Sequence, residues 1–314
     1  MRKKVLWFGK LALGLALLGF LLFRVARPGA VVTVLEEVSL PLALFAFSLH
    51  AVGFYLSAVR WKILLDTRGG KASLPRLIEH YLVALFFNHF LPTRFGGDVV
   101  RVADTQTEAG GGSASLAVVV CERLSGILAL LVFAVIASLA RLDVVSRFPL
   151  LYLALIANAL ALAGIVLALV LPLPSWLRPR PGRWSWTNRI LEKGGRFHQA
   201  TARLLRERGI WLRVMTWAFL LQGNVIVHYW ALGRSLHLGH IGLTDYFFVI
   251  PLLLFILSIP ISINGLGVRD LTLIQLFAVF GIPAAPAIAF SLLDVLFNLV
   301  LGVIGGILYL VRRR

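Results

Sequence analysis

The chain has 314 residues, of which 59% are hydrophobic and only 14% charged, and its net charge is +17, from 31 Lys and Arg against 14 Asp and Glu. A mean hydropathy of +0.89 excludes an ordinary soluble domain, in which roughly 25% of residues are charged. The lone Cys121 excludes an intrachain disulfide and a cysteine metal cluster, and the basic residues lie between apolar runs, which argues for membrane topology and against nucleic acid.

A hydrocarbon core about 30 Å thick is crossed by about 20 apolar residues in a helix. The apolar runs here are continuous and Leu/Ala-rich, not alternating, so they predict helices. Arg2, Lys3 and Lys4 precede the run 5–23, which is long for a signal peptide and lacks a small-residue cleavage site. It reads as a first span that starts in the cytoplasm. The link 24–39 balances Arg24 and Arg27 against Glu36 and Glu37, as an outside loop does. The second span, 40–59, ends in Arg60, Trp61 and Lys62, and Arg68, Lys71 and Arg76 mark a cytoplasmic loop after it. The third span is 116–140 and the fourth is 150–171.

The stretch 172–209 carries nine Arg and Lys residues against Glu192 and Glu207. It is either a cytoplasmic loop held against anionic lipid or a solvated loop that only sets topology. The fifth span is 211–232, and the last, 284–310, ends in Arg312, Arg313 and Arg314. Six crossings put every basic block on one side, with both termini cytoplasmic in a plasma (inner) membrane.

Two segments remain, 77–104 and 244–281. The apolar part of the first, 81–91, is too short to span and runs into Pro92, Gly96, Gly97, Asp98 and Arg101. Entry, a break at Pro and Gly, and return fit this composition, provided protein or a wet cavity surrounds the irregular backbone. An offset of 168 carries Phe87, Pro92, Gly97 and Arg101 to Phe255, Pro260, Gly265 and Arg269, and Trp61 and Leu64 to Tyr229 and Leu232. The second and fifth spans cross in opposite directions, so the halves are related by an axis in the membrane plane. Interrupted helices at matching positions of inverted repeats mark the substrate site of many transporters. The expected fold is an all-α integral membrane protein, about six spanning helices plus two re-entrant helical hairpins in an inverted repeat. It forms one transmembrane domain over 1–314, with halves about 40–171 and 211–310 and a basic cytoplasmic loop at 172–210.

The candidate substrate-binding residues follow from these breaks. In the first, Asn88, Pro92, Gly96, Gly97, Asp98 and Arg101 combine turn-forming glycines, a helix N-terminus and a guanidinium fork suited to phosphate. Asp98 and Arg101 are three residues apart, so they either serve the ligand or pair on a helix face. In the second, Asn264, Gly265, Gly267, Arg269 and Asp270 repeat the pattern. Glu122 and Arg123 lie inside the third span, and Asp294 and Asn298 inside the last, on one helix face. Buried charge in a membrane is costly and faces the protein interior. Glu122 plus 168 falls one helical turn short of Asp294, so the two carboxylates are candidate partners of Arg101 and Arg269, or proton relays. No P-loop, His-Glu-x-x-His or Gly-x-Ser-x-Gly string occurs, so no ATP drive, zinc-protease or hydrolase chemistry is encoded and no cofactor is expected.

The strings Phe86-Phe87-Asn88-His89-Phe90-Leu91-Pro92 with Gly96-Gly97-Asp98-Val99-Val100-Arg101, Cys121-Glu122-Arg123-Leu124-Ser125-Gly126, and Pro260-Ile261-Ser262-Ile263-Asn264-Gly265-Leu266-Gly267-Val268-Arg269-Asp270 resemble hallmarks of the lysylphosphatidylglycerol synthase transmembrane family. Asp270 stands where that family often has Glu, and His89 and Arg94 also depart from its pattern. The resemblance implies a flippase-like membrane domain that moves aminoacylated phosphatidylglycerol between leaflets, with synthesis left to a soluble aminoacyl transferase. Only Arg312, Arg313 and Arg314 close the sequence after the last span, so synthesis is not expected of this polypeptide. Relatives linked to glycosyltransferases extend the implied cargo to polyprenyl-phosphate sugars. The implied partners are membrane lipids with anionic headgroups, and a glycosyltransferase or lipid synthase.

The expected function is a non-enzymatic lipid transporter. Its two tips meet near the midplane, Arg101 and Arg269 neutralise one headgroup phosphate, and Glu122 and Asp294 orient them or accept protons. Two alternatives stand beside it. One is a lipid-phosphate-processing membrane enzyme with Glu122 or Asp98 as base. The other is a non-catalytic partner of a glycosyltransferase or lipid synthase.

Overall fold

A computed structural model of the chain describes residues 19–67, 69–70, 72–90, 96–146, 149–170, 208–239, 241–258 and 267–312. The regular structure among them is helical throughout. A π-helical turn, Leu21–Ala26, leads through Arg27, at φ 59°, into α1 (Pro28–Glu36). The link expected as an outside loop is therefore largely helix. Its balanced charges suggested a loop, but Pro28 opens a helix at its first turn, and Val31, Val34, Leu35 and Val38 give that stretch an apolar face packed into the core.

The chain continues through α2 (Leu40–Asp66), α3 (Leu74–Phe90), α4 (Gly96–Asp104) and α5 (Gly112–Ala140). A single turn, Leu142–Val145, joins α5 to α6 (Pro149–Val170). The second half holds α7 (Arg208–Ser235), α8 (Leu243–Ser258), α9 (Val268–Ala278) and α10 (Ala284–Arg312). Helices α2, α5, α7 and α10 are long and apolar enough to cross a membrane, at about 40 Å each for 1.5 Å per residue. Shorter apolar helices, Leu151–Leu167 and Leu243–Leu257, accompany them. Leu153, Leu160, Leu212 and Leu310 stand mostly exposed on the outer face, which water would penalise and hydrocarbon favours. Most of the expected first span and nearly all of the basic loop lie outside the described residues.

Helix α2 runs seven residues beyond its expected end, because Arg60 and Trp61 are not flanking residues at an interface. They are 4% and 0% exposed, and the helix closes instead on an i,i+4 pair between Lys62 and Asp66 at 2.9 Å.

The spine is an antiparallel pair, α2 against α7. Ser39 N–H donates to the Ser235 carbonyl at 2.9 Å, the His228 ring bonds the Ala46 carbonyl at 2.8 Å, and Asn224 donates to the Leu49 carbonyl at 2.9 Å. Position numbers rise along one helix as they fall along the other. Each of the helices next in order crosses over: α3 packs on α10, and α8 on α5. Gly305 makes the first crossing possible, since a Cβ there would overlap the Leu82 carbonyl of α3. Elements related by the offset of 168 thus occupy corresponding places, α2-α3-α4-α5 and α7-α8-α9-α10.

Candidate functional site

Two buried clusters of charge lie along the α2–α7 pair, one on either side of its middle. The first centres on Glu122 of α5, 3% exposed. Its Oε1 accepts from Arg60 Nη2 at 3.0 Å and from the Tyr81 hydroxyl, and its Oε2 accepts from Arg101 Nη2. The Arg101 guanidinium lies in the corner formed by the Trp61 and Tyr81 rings, 4.0 Å from each centroid, so two aromatic faces add cation–π attraction to the ion pair. Arg101 Nη1 also lies 3.6 Å from Asp98, which pairs with the more exposed Arg123. The three cations and two carboxylates leave one net positive charge.

Helix α4 is set by its start. Asn88 Oδ1, on α3, accepts the Gly97 N–H at 2.7 Å and so caps the new helix. The adjoining Gly96 is buried, and a Cβ on Gly97 would strike the Ala84 carbonyl.

The second cluster centres on Asp294 of α10, 4% exposed. Arg269 Nη1 of α9 donates to its Oδ2 at 3.0 Å. His228 Nε2 of α7 lies 3.9 Å from its Oδ1, and the His50 ring of α2 lies 4.9 Å from that of His228. Asn298 donates to the Asp294 carbonyl at 2.8 Å. Helix α9 is capped by its own Asp270, whose Oδ2 accepts the Gly267 N–H at 2.9 Å. Gly267 itself sits at φ 74°, the left-handed region open to glycine.

The two clusters correspond. Arg101 and Arg269 are 168 apart, and so are Arg60 and His228, each of which approaches the carboxylate of its own half. His50 and Arg60 are ten residues apart on α2, which sets the clusters about 15 Å apart along it. Arg101 and Arg269 therefore belong to separate sites, each facing its own carboxylate, and do not converge on one shared anion. Between the clusters lies a cavity of about 190 Å³ on the α2–α7 seam, lined by His50, Gly53, Ser57, Asn224 and His228 among others. An apolar groove of about 620 Å³ opens beside the second cluster. Leu44 and Phe47 line it from α2, and Leu293, Leu296, Phe297 and Val300 from α10.

Of the residues singled out in sequence, Asp98, Arg101, Glu122 and Arg123 come together in the first cluster, and Arg269, Asp294 and Asn298 in the second. Asn88, Gly96, Gly97, Gly267 and Asp270 build the helix starts that hold the two arginines. Pro92, Asn264 and Gly265 lie outside the described residues. Sequence reasoning missed Arg60, Trp61, Tyr81, His50 and His228. The matched pair Trp61 and Tyr229 lay one residue from Arg60 and His228, and was the signal that could have found them.

A third polar group ties α3 and α4 to the end of α10. Asp104 Oδ2 lies 2.9 Å from His80 Nδ1 and accepts from Arg312 Nη1 at 3.1 Å. Burial raises the Asp104 carboxyl, but hydrogen bonds from His80 and Arg312 outweigh it and hold the group below its ordinary value.

Comparison with known proteins agrees with a membrane protein. A UPF0104 membrane protein of Pyrococcus horikoshii is 24% identical over 292 residues, 86% of this chain and 87% of that protein. No solved structure matches the chain. The family model for the lysylphosphatidylglycerol synthase TM region matches residues 7–306, nearly the whole length. The chain is thus a multi-pass membrane protein belonging to the lysylphosphatidylglycerol synthase transmembrane-region family.

Proposed function

We propose that this protein is a lipid transporter of the flippase type, moving a phosphate-bearing lipid, either a phospholipid or a polyprenyl-phosphate-linked one, between leaflets. The observation that carries this reading is the pair of corresponding Arg–carboxylate clusters, each with unused guanidinium donors. Arg60 Nε and Nη1, Arg101 Nε and Arg269 Nε are buried without hydrogen-bond partners among the described residues. A buried donor without an acceptor costs about 1–3 kcal/mol, and more when charged, and phosphate oxygens are matched acceptors for such donors. The apolar groove beside Asp294 is of a size and composition to take an acyl or prenyl chain while the headgroup reaches the polar cluster. The family description itself concerns the membrane region of a synthase of lysylphosphatidylglycerol, a lipid with a phosphate in its headgroup.

In this reading the two halves form an inverted repeat, and α4 and α9 complete re-entrant hairpins. The headgroup is held by one cluster, then by the other, with the tails left in lipid. Glu122 and Asp294 keep each guanidinium oriented and neutralised while no phosphate is bound.

The test is lipid exchange in vesicles carrying the purified chain. Acyl-labelled fluorescent phosphatidylglycerol, phosphatidic acid and a polyprenyl phosphate are compared with a neutral glycolipid, using a membrane-impermeant quencher. The expected result is accelerated exchange of at least one phosphate lipid and none of the glycolipid. Arg101→Gln and Arg269→Gln should slow it at least tenfold, with Lys62→Ala as an unaffected control. A monodisperse protein that moves none of the phosphate lipids, or both variants moving them at the wild-type rate, overturns the reading.

A further inference from the structure

We infer that His50, His228 and Asp294 form a binding site for one divalent transition-metal cation of the zinc class, within the α2–α7 seam. His228 Nδ1 lies 2.8 Å from the Ala46 carbonyl, which can only accept, so the ring proton is on Nδ1. In the neutral ring that leaves Nε2 as a lone pair. It is buried, has no hydrogen-bond partner among the described residues, and faces Asp294 Oδ1 at 3.9 Å. Two such groups face each other favourably only with a cation between them, and a metal ion fills that place as a proton would. A backbone carbonyl that fixes one imidazole nitrogen and frees the other is the arrangement metal-binding histidines use.

His50 supplies the third ligand. Its Nε2 is also buried without a partner among the described residues. One ligand atom each from His50, His228 and Asp294 lie within 4.8 Å of one another. A zinc-like ion at about 2.1 Å from each would draw them to about 3.4 Å apart, an adjustment within reach of small side-chain rotations. Two imidazoles and one carboxylate are the donor set of an open four-coordinate site. His50 and His228 also line the 190 Å³ cavity, which offers an entry path and room for a water or an anionic oxygen to offset the ion's charge. Asp294 Oδ2 is held by Arg269, which leaves Oδ1 oriented for the ion.

The other half supports the same conclusion by contrast. Glu122 is met by two guanidiniums, Arg60 and Arg101, whereas Asp294 is met by one, Arg269. Where Arg60 brings a fixed cation to its carboxylate, the corresponding position holds His228, which can bring one by coordination. This inference stands apart from lipid transport, since a protein that moves no lipid would still bind the ion.

The experiment uses the full chain, free of any affinity tag, purified in detergent and stripped with a chelator. Cobalt(II) is titrated in and its visible ligand-field absorption followed, then displaced with zinc. The expected result is one cobalt per chain with the intense bands of a four-coordinate ion, replaced one-for-one by zinc. His50→Gln and His228→Gln should each weaken binding at least tenfold, in variants shown by gel filtration to remain folded. If His228→Gln aggregates, the half-buried His50→Gln decides. A folded wild type that binds no stoichiometric cobalt would leave the pair as a proton-bearing group and overturn the assignment. Stoichiometric binding that persists unchanged in His50→Gln overturns it too.

Discussion

Neutralising Glu122 is the most informative single perturbation. Its two oxygens serve Arg60, Arg101 and the Tyr81 hydroxyl at once, and both guanidiniums are only 4% exposed. In Glu122→Gln both cations stay buried against a neutral amide, one end of which is itself a donor. Breaking a buried ion pair from one side costs about 3–5 kcal/mol, because the remaining charge is left uncompensated. At about 2–4 °C per kcal/mol for a large chain, the Tm in detergent should fall by roughly 6–20 °C at a fixed scan rate. Adding Arg60→Gln removes one orphaned charge, so the double variant should be more stable than the sum of the single losses, by about 1–3 kcal/mol. Asp98→Asn is the contrast and should cost less: its closer partner, Arg123, is 40% exposed in its side chain, and the buried Arg101, 3.6 Å away, keeps Glu122 as its counter-ion. The account of the first cluster fails if Glu122→Gln melts within about 2 °C of wild type, a shift of ~1 kcal/mol or less. It also fails if the Arg60→Gln addition is strictly additive.

Arg269→Lys keeps the charge but not the fork that meets Asp294 at 3.0 Å, and should slow lipid exchange about tenfold in the vesicle assay while the protein stays folded. Gly305→Val should cost about 1–3 kcal/mol or more, read as a lowered Tm, because the new side chain meets the Leu82 backbone. Gly164→Ala on α6, where nothing among the described residues lies within 4 Å, should raise stability by about 0.5–1 kcal/mol through helix propensity alone. Because the folded Asp104 carboxyl lies below its unfolded value of 3.8, its contribution is complete above that value and is lost as the pH falls through the folded one. Asp104→Asn should therefore melt lower than wild type at neutral pH, and the gap should close in acid, as measured by Tm against pH.

Much of this was legible in the sequence, for identifiable reasons. The long helices declared themselves because a lipid-facing helix must be apolar along its whole length. The pairing of Arg101 with Glu122 and of Arg269 with Asp294 followed from the offset of 168 and a one-turn slip, since buried charge in a membrane has few partners to choose from. Arg60 was misread because a basic residue after an apolar run looks the same whether it flanks a span or sits within a longer helix. His50 and Tyr81 gave no sign at all. His50 sits in an apolar run and Tyr81 at the edge of one, and the role of each depends on the register of α2 against α7 or of α3 against α5, which no local pattern encodes. The separation of the two arginines was hidden for the same reason.

The halves share a frame but not a chemistry, and the difference is physical. A guanidinium cannot lose its proton in a protein, so the first cluster is permanently cationic. An imidazole carries positive charge only when protonated or when it holds a metal, so the corresponding position in the second cluster is conditionally cationic. Two identical sites related by an inverted repeat would hold an anion equally well, and a ligand that binds two states equally shifts nothing between them. Replacing Arg60 by His228 at the matching position removes that degeneracy. For an anionic headgroup passing from one cluster to the other, as proposed here, the occupancy of His50 and His228 would set which cluster binds more tightly. His228→Arg would make the two halves alike. It should abolish cobalt binding and, in the vesicle assay, slow exchange by trapping the headgroup without preventing its capture; exchange at the wild-type rate in a folded His228→Arg protein would show that the inequality of the halves has no part in movement.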